Sequence, residues 1–173
     1  MILNIKKTNL NNLLSPKNKG DVGYDLISNS PPKIVGDLYI EKLYKSIKYI
    51  EYDTNVSIEP SSDEYEDFDF FSLLYPRSSI SNYNLSLCNS VGVIDSGYRD
   101  TIKVRFKYIP QPENYYMLKE GNLLVGVDES RIYQKGNKIA QLVFCKPLYP
   151  KIFIKDHLGD SDRNIGGFGS TGL

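Results

Sequence analysis

Short runs rich in Ile, Val, Leu, Tyr and Phe recur along this chain with turn-forming residues between them, which is the pattern of many short strands rather than of long amphipathic helices. The runs fall at residues 2–6, 22–27, 47–58, 70–75, 85–88, 91–95, 102–108, 123–127, 138–146 and 151–155. Antiparallel strands in that number point to an all-β fold, a jelly roll or a similar closed β architecture. At 173 residues the chain is most simply one domain, large enough to bury a core without metals or disulfides.

Two short segments break the strand pattern. In residues 37–47, Ile40, Leu43, Tyr44 and Ile47 fall at three- and four-residue steps, and this spacing predicts a helix. A short turn of helix is expected just after Pro76, at residues 78–82, where a serine can cap exposed amides. Residues 59–69, EPSSDEYEDFD, are acidic and turn-rich and read as a solvated loop. The last dozen residues, DRNIGGFGSTGL, hold too much glycine to form a regular element alone and read as a flexible C-terminal arm.

Composition removes several kinds of chemistry. One histidine, His157, and two cysteines, Cys88 and Cys145, cannot build the usual Cys/His zinc site within one subunit. Catalysis then leans on carboxylates, hydroxyls and backbone amides. There is no Trp, so stacking on a ligand falls to Tyr and Phe. Lys plus Arg (21) balance Asp plus Glu (21), which argues against direct nucleic-acid binding over a broad surface. No apolar run approaches a bilayer span and the N-terminus lacks a signal-peptide core, so the expectation is a soluble intracellular protein with reduced thiols and no membrane contact.

Five segments carry groups suited to chemistry. The tail, from Arg163 to Leu173, offers a cationic fork at Arg163, a flat apolar face at Phe168, hydroxyls at Ser170 and Thr171, and amides exposed by four glycines, including Gly169. That set suits a phosphorylated aromatic ligand; the alternative is a frayed terminus. In Tyr75-Pro-Arg-Ser-Ser-Ile, the residues Arg77, Ser78 and Ser79 either hold an anion or form a capped turn. In Asn89-Ser-Val-Gly-Val-Ile-Asp-Ser-Gly-Tyr-Arg, an apolar hairpin arm ends at Asp95, which is either a general base in a pocket or a turn residue with Tyr98 in the core. Gly20-Asp-Val-Gly-Tyr-Asp-Leu brings Asp21 and Asp25 to either side of a glycine, compatible with water-mediated magnesium contact or with an Asx turn. Gly136-Asn-Lys-Ile-Ala-Gln-Leu-Val-Phe is a turn into a buried strand with Gln141 as its polar interruption.

Taken together, GDVGYDL, PRSS, NSVGVIDSGYR, GNKIAQLV and RNIGGFGSTG occur in the order and approximate spacing of the five motifs of the homotrimeric dUTP pyrophosphatases, the dUTPases, and the chain resembles that family from Gly20 to Gly172. The resemblance implies a jelly-roll β-barrel over residues 1–160, a closing arm at 161–173, and extra segments near 37–69 and 111–134. It implies a homotrimer whose active sites are shared between subunits. It also implies hydrolysis of dUTP to dUMP and pyrophosphate, keeping uracil out of DNA and supplying dUMP for dTMP synthesis. On that reading Asp95 activates the water that attacks the α-phosphorus and Gln141 helps hold it. Tyr98 packs beneath the deoxyribose, while Asn89, Gly92 and Val93 meet the uracil edge. Arg77, Ser78 and Ser79 take the α- and β-phosphates; Arg163, Gly169, Ser170 and Thr171 close over the γ-phosphate, with Phe168 capping the base. Asp25 lies near the waters of an Mg2+ ion carried by the triphosphate.

Gly97, Asp100 and Asn164 depart from the family pattern, and Asp100 adds a carboxylate close to Asp95. Two other readings compete. The dCTP deaminases share the fold, but their catalytic glutamate would fall at Arg105 here. A nucleotide-dependent protein-binding module is the other, using for example the acidic segment 59–69. The expected location is cytoplasmic or nuclear, and the abundance of Asn, Lys, Ile and Tyr fits an AT-rich, viral or parasitic coding genome.

Overall fold

Along Lys103–Tyr108 the side chains of Val104, Phe106 and Tyr108 are buried while Lys103, Arg105 and Lys107 face solvent. This period of two is what a strand with one wet face requires. The structure is a computed structural model that describes residues 2–6, 11–61 and 70–161. Its strands are β1 (Ile2–Ile5), β2 (Leu13–Leu14), β3 (Tyr24–Ile27), β4 (Lys33–Ile40), β5 (Leu43–Asp53), β6 (Ile58–Ser61), β7 (Phe71–Pro76), β8 (Leu85–Leu87), β9 (Gly92–Ile94), β10 (Lys103–Tyr108), β11 (Tyr115–Met117), β12 (Leu123–Gly126) and β13 (Lys138–Cys145). They form three antiparallel sheets, ordered β1-β6, β11-β12-β5-β10-β8 with β4 beside β5, and β2-β3-β13-β7-β9. The fold is an all-β, jelly-roll-like barrel.

The sheets enclose one core, in which Leu26, Ile50, Tyr52, Phe106, Ile139 and Leu142 have no exposed surface. Phe106 meets Tyr52 and Tyr133 with ring centroids 5.8 and 5.6 Å away, and the Tyr52 hydroxyl donates to the Tyr133 carbonyl at 3.0 Å. Burial pushes the Tyr52 phenol well above its ordinary value. Among the described residues no helix is long and apolar enough to cross a membrane.

Five expectations are corrected. Residues 37–47 form no helix: they belong to the β4–β5 hairpin, with Glu41 at φ +43° in its turn. Register shifts between Val35 and Gly36, Asp37 and Leu38, and Leu38 and Ile40 break the two-residue period there, so apolar side chains come to three- and four-residue steps in a strand. The run 47–58 is two strands, not one. Between them Asn55 takes φ +53°, the Asp53 carboxylate accepts from the Asn55 amide at 2.6 Å, and Thr54 accepts from Val56 while donating to the Ile102 carbonyl. That corner carries the chain from the six-stranded sheet to the pair β1-β6.

The helical turn after Pro76 is present as a 3-10 helix, Ser78–Asn82, but Arg77 occupies its N-cap and no side chain caps it. Residues 151–155 form no strand. Their apolar run Ile152-Phe153-Ile154 is real, yet no described residue pairs with them, and Leu148, Tyr149, Ile152, Phe153, Ile154 and Leu158 stand 78% to 98% exposed. In the acidic stretch read as a loop, residues 59–61 belong to β6, and 62–69 lie outside the described residues.

Candidate active site

The five-stranded sheet sets Asp25, Gln141 and Tyr75 in one lateral row, because β13 pairs with β3 on one side and β7 on the other. Two residues beyond Tyr75 the chain leaves the sheet, and Arg77 turns back onto Asp25. Its Nε donates to Oδ1 at 2.7 Å, and Lys138 Nζ donates to Oδ2 at 2.8 Å. The Asp25 side chain is 18% exposed, so the carboxylate is held against its two cations with little water between.

These residues open into a cleft of about 690 Å³ whose charged lining is Lys17, Arg77 and Lys138 against Asp21 and Asp25. Gln141 reaches the same cleft, and its Oε1 lies so close to Gly23 that a Cβ there would stand 2.5 Å from it. Ser79 follows Arg77 in the helical turn. Burial raises the pKa of the neighbouring Tyr133 phenol, and the Ser79 hydroxyl and the Arg77 cation pull it the other way.

A second pocket of about 560 Å³ lies at the hairpin that carries β9, lined by Leu74, Asn89, Gly92, Val93, Tyr98 and Asp100 among others. Ser90, at φ +57°, turns the chain, and the Val91 amide donates to the Asn89 carbonyl. Gly92 is squeezed between neighbours: a Cβ would lie 3.2 Å from both Asn89 Nδ2 and Leu74 Cβ. At the other end of β9 the Tyr98 amide donates to the Asp95 carbonyl at 3.0 Å. The Tyr98 hydroxyl donates to the Thr101 carbonyl at 3.1 Å, holding the ring over the pocket with 41% of its surface exposed. Tyr98 is therefore a wall of the pocket and no part of the core. Asp95 and Asp100 are both exposed, and the Asp100 carboxylate accepts from the Thr101 amide at 2.7 Å.

Asp95 and Arg77 stand apart within one chain. Ile94 pairs with Ser72, and Arg77 lies five residues further along the same strand direction, roughly 17 Å away at about 3.3 Å per residue. Asp25, Arg77 and Gln141 thus come together past the Pro76 end of β7, Gly92 and Val93 face Leu74 and Leu73 in its middle, and Ile94, next to Asp95, faces Ser72 towards its start. Arg163, Phe168, Gly169, Ser170 and Thr171 lie outside the described residues. Sequence reasoning missed Lys138, whose sole signal was a cation immediately before the buried strand.

Both Asp25 oxygens already accept from cations, which does not suit direct ligation; each keeps lone-pair capacity for a metal-bound water. Among the described residues no group of three or more His, Cys, Asp and Glu side chains could enclose a metal ion. The residues fit an Mg2+ ion that arrives on a polyphosphate with its waters.

No family model matches the chain. A deoxyuridine 5'-triphosphate nucleotidohydrolase of Clostridium kluyveri is 32% identical over 157 residues, covering 89% of this chain and 85% of the relative. The chain belongs to the dUTPase family. A Clostridium acetobutylicum relative of the same name is 30% identical over 157 residues, covering 90% of this chain and 85% of the relative. One from Desulfitobacterium hafniense is 35% identical over 101 residues, where the match takes in 58% of this chain and about half, 56%, of the relative's length. The fold is that of solved phage dUTPases. The Staphylococcus bacteriophage 80alpha enzyme with dUPNHPP superposes with a TM-score of 0.69 at 21% identity over 99% of both chains. The dUTPase of phage phi11 of S. aureus, described with a coordinated structural Mg(II) ion, gives 0.61 at 19% identity over 91% of this chain and 98% of that one.

Proposed function

We propose that this dUTPase hydrolyses dUTP to dUMP and pyrophosphate in a homotrimer whose active sites each draw on more than one subunit. The observation that carries the reading is the placement of Asp95 and the Arg77 cleft towards opposite ends of β7, roughly 17 Å apart along the strand. That spacing is too long for the two to act on one phosphorus from the same chain. The exposed apolar stretch from Leu148 to Leu158 supports assembly as well, since a surface of that kind calls for a partner.

In the proposed site the hairpin pocket of one subunit takes the nucleoside. Asn89 and the backbone at Gly92 and Val93 meet the uracil edge. Tyr98 lies beneath the deoxyribose and leaves no room for a 2′-hydroxyl. The cleft of another subunit takes the phosphates through Arg77, Ser78, Ser79 and Gln141. The arm residues Arg163, Gly169, Ser170 and Thr171 close over the γ-phosphate, and Phe168 covers the base. Asp95 accepts a proton from water as its oxygen bonds to the α-phosphorus; the bond from that phosphorus to the α–β bridging oxygen breaks, and the electron pair leaves with pyrophosphate. Mg2+, held through water near Asp25, offsets triphosphate charge when bound.

Little covalent chemistry is asked of the protein. Alignment of one water and many N–H and O–H donors suffice, which a chain with a single histidine can supply. Deamination of dCTP is disfavoured by Arg105, which donates to Glu51 at 2.8 Å and lies over the Tyr49 ring. The setting proposed is a soluble cytoplasmic or nuclear one, with no direct nucleic-acid or membrane partner.

The test is pyrophosphate release from dUTP, dTTP, dCTP and UTP, with Asp95→Asn and Arg77→Ala measured separately and as co-assembled mixtures. Selective turnover of dUTP, lost in each variant and partly restored in the mixture, is expected. Equal turnover of all four nucleotides would sink the reaction; a mixture as inactive as its parents would sink the shared site.

A further inference from the structure

Lys138 reaches the cleft through a defect in the sheet. In a regular strand Lys138 and Gln141, three positions apart, would point to opposite faces. Here Lys138 pairs with Ile27 and Ala140 with Leu26, so one strand advances two residues while its partner advances one. The extra residue is Ile139, and consecutive Ile139 and Ala140 are both fully buried. This β-bulge inverts the phase of the strand and brings Lys138 onto the face of Gln141, Asp25 and Arg77.

The contact it makes there is specific. An arginine beside a carboxylate ordinarily closes a two-pronged pair in which both oxygens take guanidinium protons. In this cleft Arg77 reaches Asp25 through Nε to Oδ1, and Lys138 Nζ holds Oδ2. Among the described residues the two Nη groups of Arg77 make no hydrogen bond, which leaves them for a ligand. Lys138 is 34% exposed on its side chain and Arg77 31%, so both reach the wall of the opening while Asp25 stays behind them at 18%.

We propose that Lys138 is a positioning residue of the anion cleft. By occupying the second oxygen of Asp25, it keeps Arg77 from folding into a closed pair and holds its Nη fork out for the β-phosphate region of a polyphosphate. The inference rests on the reading of this cleft as the polyphosphate site given above. Without Lys138, Asp25 Oδ2 draws in an Nη of Arg77, and the fork turns away from the opening. The bulge matters because it alone puts an ammonium group on that side of β13.

The experiment uses the full chain and inorganic tripolyphosphate as probe, bound in metal-free buffer and followed by calorimetry, so that it stands apart from turnover. Lys138→Met and Lys138→Gln are expected to weaken tripolyphosphate about tenfold and to raise KM for dUTP by a similar factor, with kcat within about threefold. Lys138→Arg restores both, because it can still donate to Oδ2. In an Asp25→Asn background the loss from Lys138→Met shrinks to about twofold or less, since its effect passes through the carboxylate.

A tenfold loss that persists in the Asp25→Asn background would show direct contact with phosphate and overturn the positioning role. Unchanged tripolyphosphate affinity in both Lys138→Met and Lys138→Gln would overturn the proposal altogether. If wild-type protein binds tripolyphosphate with the predicted dependence on Lys138 yet turns over no dUTP, this inference survives and the proposed reaction fails.

Discussion

Gly23 lies directly against the amide of Gln141: a Cβ at Gly23 would sit 2.5 Å from Gln141 Oε1 and 3.2 Å from its Cδ. The atom in the way is the far end of a flexible side chain, so a methyl group displaces the amide more readily than it disturbs the sheet. Gly23→Ala is therefore expected to leave thermal unfolding within a few degrees of wild type and to lower kcat by on the order of 10²-fold, the penalty for misplacing the amide that, on the proposed mechanism, holds the reacting water. Paired melting curves and pyrophosphate-release rates check it. A large drop in Tm with kcat per folded molecule intact would show that Gly23 matters for packing alone.

Asp95 stands exposed past the end of β9, with its backbone carbonyl fixed by the Tyr98 amide. Asp95→Asn keeps that turn and removes the proposed proton acceptor. A fall in kcat of roughly 10²- to 10⁴-fold is expected, with stability unchanged to within about 0.5 kcal/mol. Urea unfolding alongside steady-state kinetics separates the two effects.

Removing residues 163–173 takes away Arg163, Phe168, Gly169, Ser170 and Thr171 but few apolar side chains. The truncated protein is expected to keep the assembly state of the full chain by light scattering while losing turnover on the order of 10²-fold, because closure over the phosphates is gone. Dissociation on truncation would give the arm a structural role instead.

Phe106 is fully buried and touches Tyr52 and Tyr133 edge-on or tilted. Phe106→Ala leaves a cavity that the two tyrosines cannot fill. About 3–5 kcal/mol of stability should be lost, measurable by chemical denaturation. A loss under about 1 kcal/mol would mean that the core collapses to close the gap.

Much of the fold was legible because alternation is a direct record of which face of a strand meets water. Val104, Phe106 and Tyr108 carry that record plainly. The helix expected over residues 37–47 failed because a bulged hairpin also produces three- and four-residue spacings, and periodicity alone does not separate the two. Residues 151–155 show the converse: their composition is that of a strand, but a strand needs a neighbouring edge, and the described residues provide none. At the site, separate motifs supplied Asp25, Arg77 and Gln141, and the structure brings the three to one cleft. Lys138 stayed hidden because a bulge is a property of the pairing with β3, which no local stretch of β13 encodes by itself. The separation of Asp95 from Arg77 was equally unreadable, since motif order along a chain carries no distance.

The length of β7 thus has a meaning for the timing of activity. On the proposed arrangement a newly made chain carries the phosphate cleft past one end of β7 and Asp95 towards the other, yet it is silent toward any single nucleotide until it meets its copies. Turnover then rises more steeply than the first power of chain concentration at high dilution and becomes proportional once assembly is complete, so the spacing of one strand keeps hydrolysis off until enough protein has accumulated.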